Sequence, residues 1–224
     1  MLINIAIDGP SGAGKSTLAR AAAKQLGLIY VDTGAIYRTV GLAAKRAGLP
    51  LGAGDGVVAM LPSLEIDMAY DGEGRQRMYL NGEDVSEAIR EPEISMYASD
   101  VSAVPEVRAF LLQMQRPMAA RGGVIMDGRD IGTVVLPGAP LKVFLTASEE
   151  ARAERRCREL REKGIECTVG EVLRDMRVRD ENDSNRAAAP LRKADDAVLL
   201  DTTELDFEQS LAALTALIKE KFGL

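Results

Sequence analysis

Gly9, Pro10, Ser11, Gly12, Ala13, Gly14, Lys15, Ser16 and Thr17 satisfy the pattern GxxxxGK[ST] at every position. The chemistry of such a loop is phosphate binding. Its glycines let backbone N–H groups converge on phosphate oxygens, and the N-terminus of the following helix adds partial positive charge. Lys15 would neutralise the outer phosphates, and the Ser16 hydroxyl is a ligand for Mg²⁺. The pattern is informative only between a strand and a helix. Leu2–Ile7 is a short apolar run rich in β-branched residues, and Ser16–Leu26 carries good helix formers that Gly27 stops. An idle Gly-rich turn is the alternative, and spacing and context weigh against it.

A second constellation is Asp127-Gly128-Arg129-Asp130, which closes an apolar run starting at Gly123. Asp127 stands where the acidic partner of a P-loop metal stands, and two carboxylates with a guanidinium at one strand end are poorly explained as a solvated turn. Asp32–Arg38 follows a further apolar run, Leu28–Val31, and opens a helix expected over Gly34–Arg46. Thr33 is either the cap of that helix or a ligand, and Tyr37 and Arg38 are either surface residues or a second anion site. Arg174 to Arg192 mixes Arg174, Arg177, Arg179, Arg186 and Arg192 with Asp175, Asp180, Glu181 and Asp183. A mixed charge run is usually a solvated helix face. Phosphoryl transfer, however, depends on cations that close over the transferring group and shut out water, and an Arg-rich mobile flap would supply them. The expected helix Ser148–Lys163 adds Arg152, Arg155, Arg156 and Arg158, some of them partners for Glu154 and Glu159 at helical spacing.

Composition narrows the chemistry. The 224 residues include 28 Lys plus Arg, 34 Asp plus Glu and no His. Without imidazole there is no Ser-His-Asp triad, Cys-His dyad or HExxH zinc site. A net charge of -6 argues against a nucleic-acid partner, which needs clustered positive charge. Cys157 and Cys167 match no disulfide framework or zinc motif and read as reduced packing residues. No basic leader follows Met1 and no apolar run reaches the ~18 residues that span a bilayer, so no membrane partner and a cytoplasmic location are expected.

The elements that must position these residues alternate. Further strands are expected at Gly123–Asp127, Leu141–Leu145 and Ala197–Leu200, and helices at Arg90–Val104, Pro105–Arg121, Val169–Arg179 and Asp206–Phe222. Leu64–Asn81 alternates instead, with Asp71–Gly74 as a turn, which predicts an antiparallel hairpin inserted in the series. The fold class is therefore α/β, a P-loop core with a five-stranded parallel sheet flanked by helices, a small antiparallel insertion and a short helical lid. Ligands then bind at the strand carboxyl ends.

GPSGAGKST, DTGAIYR, the inserted hairpin, DGRDIGTVV and RDENDSNRAAAPL together resemble the bacterial cytidylate kinases across essentially the whole chain. The resemblance implies one kinase domain over 1–224, with a nucleoside-monophosphate-binding region at about 34–110 and a lid at about 150–190. It implies transfer of the γ-phosphate of ATP to CMP or dCMP with Mg²⁺; the alternative is a sibling kinase acting on UMP or AMP. By position, Thr33, Tyr37, Arg38 and Arg129 fall on the CMP phosphate and ribose side, and Ser99, Arg108 and Asp130 on the base. Arg179, Asp183 and Arg186 fall in the lid, Asp183 on the sugar hydroxyls and Arg186 on the phosphates. Arg155 joins residues 9–17 on the ATP side, Ser16 and Asp127 hold the metal directly or through water, and Lys15, Arg129, Arg179 and Arg186 carry catalysis. A monomer is expected. The base assignment agrees with chemistry: a carboxylate accepts from the cytosine amine, whereas uracil presents a carbonyl there.

Overall fold

The computed structural model describes residues 2–120, 122–162 and 164–224. Along the chain the elements are β1 (Asn4–Asp8), α1 (Lys15–Leu26), β2 (Ile29–Asp32), α2 (Thr33–Arg46), α3 (Gly54–Met60), β3 (Ile66–Tyr70), β4 (Gln76–Leu80), β5 (Glu83–Asp84), α4 (Ile94–Ser102) and α5 (Pro105–Ala119). Then come β6 (Val124–Gly128), β7 (Leu141–Thr146), α6 (Glu149–Glu162), α7 (Val169–Asn185), β8 (Val198–Asp201) and α8 (Phe207–Phe222). Among the described residues one sheet has five strands in the order β2-β6-β1-β7-β8 and another has three in the order β3-β4-β5. The chain is thus of the α/β class, with its antiparallel insertion where the alternating pattern predicts one.

Contacts divide the chain into two compact units, Met1–Tyr30 with Arg121–Leu224, and Val31–Ala120. In the first, β1 pairs in parallel with β6 and β7, and its residues are buried from Ile5 to Asp8, as expected of a strand covered on both faces. Register decides where the strands release their loops. Ile7 lies opposite Asp127 and Asp8 opposite Gly128, so β1 and β6 end level and deliver their loops to one sheet edge. The small side chains Ala19, Ala22 and Ala23 of α1 and the side chains of Leu214 and Ile218 of α8 share the core with Ile5, Ile125 and Leu145. Capping boxes start α7 at Thr168–Glu171 and α8 at Asp206–Gln209, each satisfying otherwise orphaned N–H groups.

In the second unit, α2 and α4 pack backbone to backbone at Gly41, where a Cβ would sit 2.9 Å from the Ala98 amide nitrogen. Met78 and Leu80 of β4 turn into the core with Ile36, Val40, Ile89, Ile94 and Leu111. β3 and β4 pair antiparallel from Ile66↔Leu80 to Tyr70↔Gln76, the expected hairpin.

Several boundaries differ from the sequence reading. The helix expected over 90–104 is broken into a 3-10 turn at Ala88–Arg90 and α4, because Pro92 forces Glu91 into an extended conformation (φ -58, ψ 140). α7 runs six residues past Arg179, its expected end, so Asp183 stands on the same helix as Arg179. β5 and α3 have no strong periodic signal; α3 begins in a Gly-rich stretch, and β5 is two exposed residues paired to β4. A π-helical turn at Ile131–Val135 is also new. The expected ends Arg121 and Lys163, and Met1, lie outside the described residues. No helix among the described residues is long and apolar enough to cross a membrane.

Candidate active site

The loop leaving β1 is held by sterics as much as by sequence. Gly9 has φ +150, and a Cβ there would lie 2.0 Å from the Leu145 carbonyl oxygen, so only glycine lets the chain pass β7. Gly14 caps α1 in the left-handed conformation and brings no side-chain cap, so no side chain of the cap residue competes for the N–H groups of the first turn. Next comes Lys15, only 5% exposed, its Nζ donating to the Pro10 carbonyl at 2.6 Å. Burial, reinforced by the nearby Arg129 and Arg179 charges, holds its pKa well below the usual lysine range. An anion entering the loop would reverse that penalty.

Asp127, buried at the end of β6, accepts from the Ser16 hydroxyl at 2.8 Å and from the Tyr30 hydroxyl at 2.9 Å. Ser16 and Asp127 thus pair two hard oxygen donors at the mouth of the loop, the ligand type Mg²⁺ takes, while Tyr30 fixes the carboxylate's other oxygen. Two protein donors suit an ion that keeps several waters and takes phosphate oxygens for the rest. The residues present fit such an ion.

Beyond Asp127, Arg129 donates through Nε to Asp183 at 2.8 Å. Burial works against the Arg129 charge, but the Asp183 carboxylate outweighs it and raises the pKa. Burial likewise opposes the Asp183 charge, and Arg129, Arg179 and Arg186 together hold its carboxyl below the usual range. Arg186 lies 3.7 Å from Asp183 and 3.7 Å from Asp130, and its Nε donates to the Ala189 carbonyl at 2.8 Å. Arg179 reaches the Ser11 hydroxyl at 3.4 Å. Lys15, Arg129, Arg179, Arg186, Asp130 and Asp183 are therefore gathered around one edge of this unit.

Three residues to which the sequence reading gave no place in the site hold this edge together. The Asp180 carboxylate accepts from the Ser11 amide at 2.9 Å and from Arg152 Nη1 at 2.5 Å, while the same Arg152 nitrogen donates to the Ser11 carbonyl at 2.7 Å. α6, α7 and the P-loop are thereby latched at one residue. Asp8 accepts from the Ile131 and Gly132 amides, both at 2.7 Å, and so clamps the π-helical turn that follows Arg129 and Asp130. Burial pushes its carboxyl up to about 6, against the two amides that lower it. An Asp ending a strand just before the P-loop was the available signal for Asp8. For Arg152 and Asp180, which sat inside charge-rich helices, there was none. Arg155 is bonded to the Thr202 hydroxyl at 3.0 Å and to the Thr202 carbonyl, tying α6 to the segment after β8. Arg156 pairs with Glu159 at 3.0 Å, the helical-spacing partnership expected.

In the second unit, Asp32, not Thr33, caps α2, accepting from the Ala35 amide at 2.9 Å. Thr33 is a buried residue of the first turn, since Asp32 is in the extended conformation a cap requires and its carboxylate reaches the amide. Burial opposes the Asp32 charge, but Arg90, 3.0 Å away, and Arg38 hold its carboxyl below the usual range. One turn on, the Tyr37 ring lies under the Arg108 guanidinium, 5.4 Å from its centroid, and Arg108 donates to the Ser102 carbonyl at 3.2 Å. The Ser99 carbonyl accepts from the Ser102 hydroxyl at 2.8 Å, so Ser99 and Arg108 share Ser102 as a neighbour. Thr33, Tyr37, Arg38, Ser99 and Arg108 all belong to this unit, whereas Asp130 belongs to the other.

Known proteins resemble the chain in sequence and in fold. A family model described as cytidylate kinase matches residues 5–220. The chain is 52% identical over 209 residues to a cytidylate kinase of Caldicellulosiruptor bescii (strain ATCC BAA-1888 / DSM 6725 / KCTC 15123 / Z-1320), covering 93% of this chain and 92% of that one. It is 49% identical over 219 residues to a cytidylate kinase of Desulfitobacterium hafniense (strain Y51), covering 98% and 94%. The crystal structure of an uncharacterized protein from Eubacterium ventriosum ATCC 27560 aligns with a TM-score of 0.54 over 98% of this chain and 99% of that one at 13% identity, a likeness of fold alone.

Proposed function

The chain belongs to the cytidylate kinase family, and we propose that it transfers the γ-phosphate of ATP to CMP or dCMP, giving ADP and CDP or dCDP. The observation that carries this reading is the set of cations, Lys15, Arg129, Arg179 and Arg186, gathered with Asp183 beside the P-loop. A hydrolase would have no use for the further arginines of a second anion site.

Residues 9–17 would bind the triphosphate, with Arg155 on the same side, and Lys15 would neutralise its outer phosphates. Ser16 and Asp127 would hold Mg²⁺, directly or through water; when bound, the ion supplies positive charge against the phosphate oxygens. Thr33, Tyr37, Arg38 and Arg129 would bind the acceptor phosphate and ribose, and Ser99, Arg108 and Asp130 the base. Asp183 would meet the sugar hydroxyls once a ligand phosphate takes over Arg129. Lys15, Arg129, Arg179 and Arg186 would spread the charge of an in-line transition state, the main task in phosphoryl transfer. The acceptor needs no general base, since the second pKa of a phosphate monoester is about 6. That suits a chain without histidine.

Within one kinase domain, residues 34–110 would form the acceptor region and 150–190 the lid, in a cytoplasmic monomer. A sibling kinase acting on UMP or AMP is not favoured by relatives that share one name. The test is ADP release from MgATP with CMP, dCMP, UMP, AMP and GMP offered separately and a control without acceptor. Strong signals with CMP and dCMP and a weak one with UMP are expected. Preference for another base would discard the base assignments, and acceptor-independent release would discard the kinase.

A further inference from the structure

Cys157 lies on α6 and Cys167 in the turn just before α7, and their sulfurs are 2.9 Å apart as free thiols. A disulfide needs about 2.05 Å, so closing the bond asks for roughly 0.9 Å of further approach. The turn already holds the two residues face to face. Arg161 donates to the Cys167 carbonyl through Nη2 at 2.8 Å and Nε at 3.3 Å, and each cysteine sulfur lies 3.5 Å from the other's carbonyl oxygen. Gly164, at φ +76, makes the reversal between them. Cys157 is buried at 1% exposure among Ala153, Val172 and Met176, whereas Cys167 is partly exposed. Cys167 is therefore the more accessible of the two and Cys157 the sheltered one, the arrangement of an attacking and a resolving pair.

We propose that Cys157 and Cys167 form a reversible thiol–disulfide site, oxidised by low-molecular-weight disulfides, that staples α6 to the start of α7. Cys167 thiolate attacks one sulfur of the reagent and expels a thiolate. Cys157 then attacks the Cys167 sulfur of the mixed disulfide and expels the second. The protein loses two protons and two electrons, and the reagent is reduced to two thiols. The hydrogen bond with Cys157 and burial hold the Cys167 thiol above its ordinary range, so the reaction is slow at neutral pH and quickens as pH rises. The staple sits on the hairpin that carries Asp180 and Met176, whose side chains meet Ser11 and Gly12 of the P-loop. It closes a short loop and so acts by restricting the open states of that hairpin.

The experiment treats the whole chain with oxidised glutathione at two pH values and tracks intact mass, thiol alkylation and hydrogen exchange. The expected result is loss of two hydrogens and of both alkylatable thiols, faster at the higher pH, reversed by dithiothreitol. Amide exchange over residues 157–172 should slow by about tenfold or more in the oxidised form. Cys167→Ser, which alters the partly exposed partner and spares the buried one, should show neither change. A stable glutathione adduct on Cys167 without ring closure would overturn the proposal, and so would ring closure that leaves exchange unaltered.

Discussion

Arg129 and Arg152 of the P-loop unit and Arg108 of the other unit are held by different means. In the P-loop unit, Arg129 faces Asp183, Arg152 faces Asp180, and Lys15 folds back on the Pro10 carbonyl. The two arginines are paired with carboxylates at a buried edge, so a phosphate that binds them must replace an internal partner. In the unit of residues 31–120, Arg108 is held by an aromatic face and a backbone carbonyl, and its place results from the packing of α2, α4 and α5. Desolvated pairs lose more when one member is removed than neutral contacts do, because the survivor is left uncompensated. Substitution of Arg129 or Arg152 should therefore act on turnover and on stability together. Substitution of Arg108 should act mainly on acceptor binding.

The largest effect is expected for Lys15→Ala. Removing the cation at the centre of the loop should lower kcat by about 10²–10³ or more, the loss typical of a transition-state charge donor. Circular dichroism should be unchanged, since the lost charge is one that burial already disfavours. Near-normal turnover would remove the P-loop from the reaction.

Asp8→Asn tests the clamp beneath the DGRD junction. The Asp8 carboxyl titrates near 6 in the fold against 3.8 ordinarily. Between those values the folded chain binds more protons than the unfolded one, so the Asp8 share of stability falls as pH rises through that window. Activity should run the other way, because the ionised carboxylate is the form that accepts both amides. Asp8→Asn should flatten this slope in denaturation measured against pH, and lower turnover at neutral pH by about tenfold, as expected for a displaced junction. A slope and a turnover equal to those of the parent chain would leave Asp8 without a positioning role.

A change confined to base preference is expected from Asp130→Asn. It should narrow the preference for CMP over UMP by about tenfold, the worth of one hydrogen bond to a charged group. An unaltered ratio of kcat/KM values would mean that the base is read elsewhere.

Legibility in the sequence divides along similar lines. The P-loop is contiguous, and its strand, glycines, lysine and helix announce one another within the stretch from Asn4 to Leu26. The DGRD junction is nearly as local. The Asp180 latch was not legible, because Ser11 and Asp180 are 169 residues apart and a mixed charge run looks the same whether solvated or engaged. The split of the 90–104 helix was available in Pro92, whereas β5 exists only because β4 offers it an edge. Of the two roles open to Thr33, the structure gives the cap of α2 to Asp32, whose place at the end of a strand hides that role in the sequence. Arg90 was read only as a helix residue, and its long-range pairing with Asp32 has no sequence signal.

The most direct test of this division of labour is equilibrium binding of MgATP and of CMP, each alone, to the parent chain, Lys15→Ala and Arg38→Ala. The account predicts that Lys15→Ala weakens ATP by about tenfold or more and leaves CMP within about twofold, and that Arg38→Ala does the reverse, each loss corresponding to one charged hydrogen bond. Equal weakening of both nucleotides by either variant would contradict it.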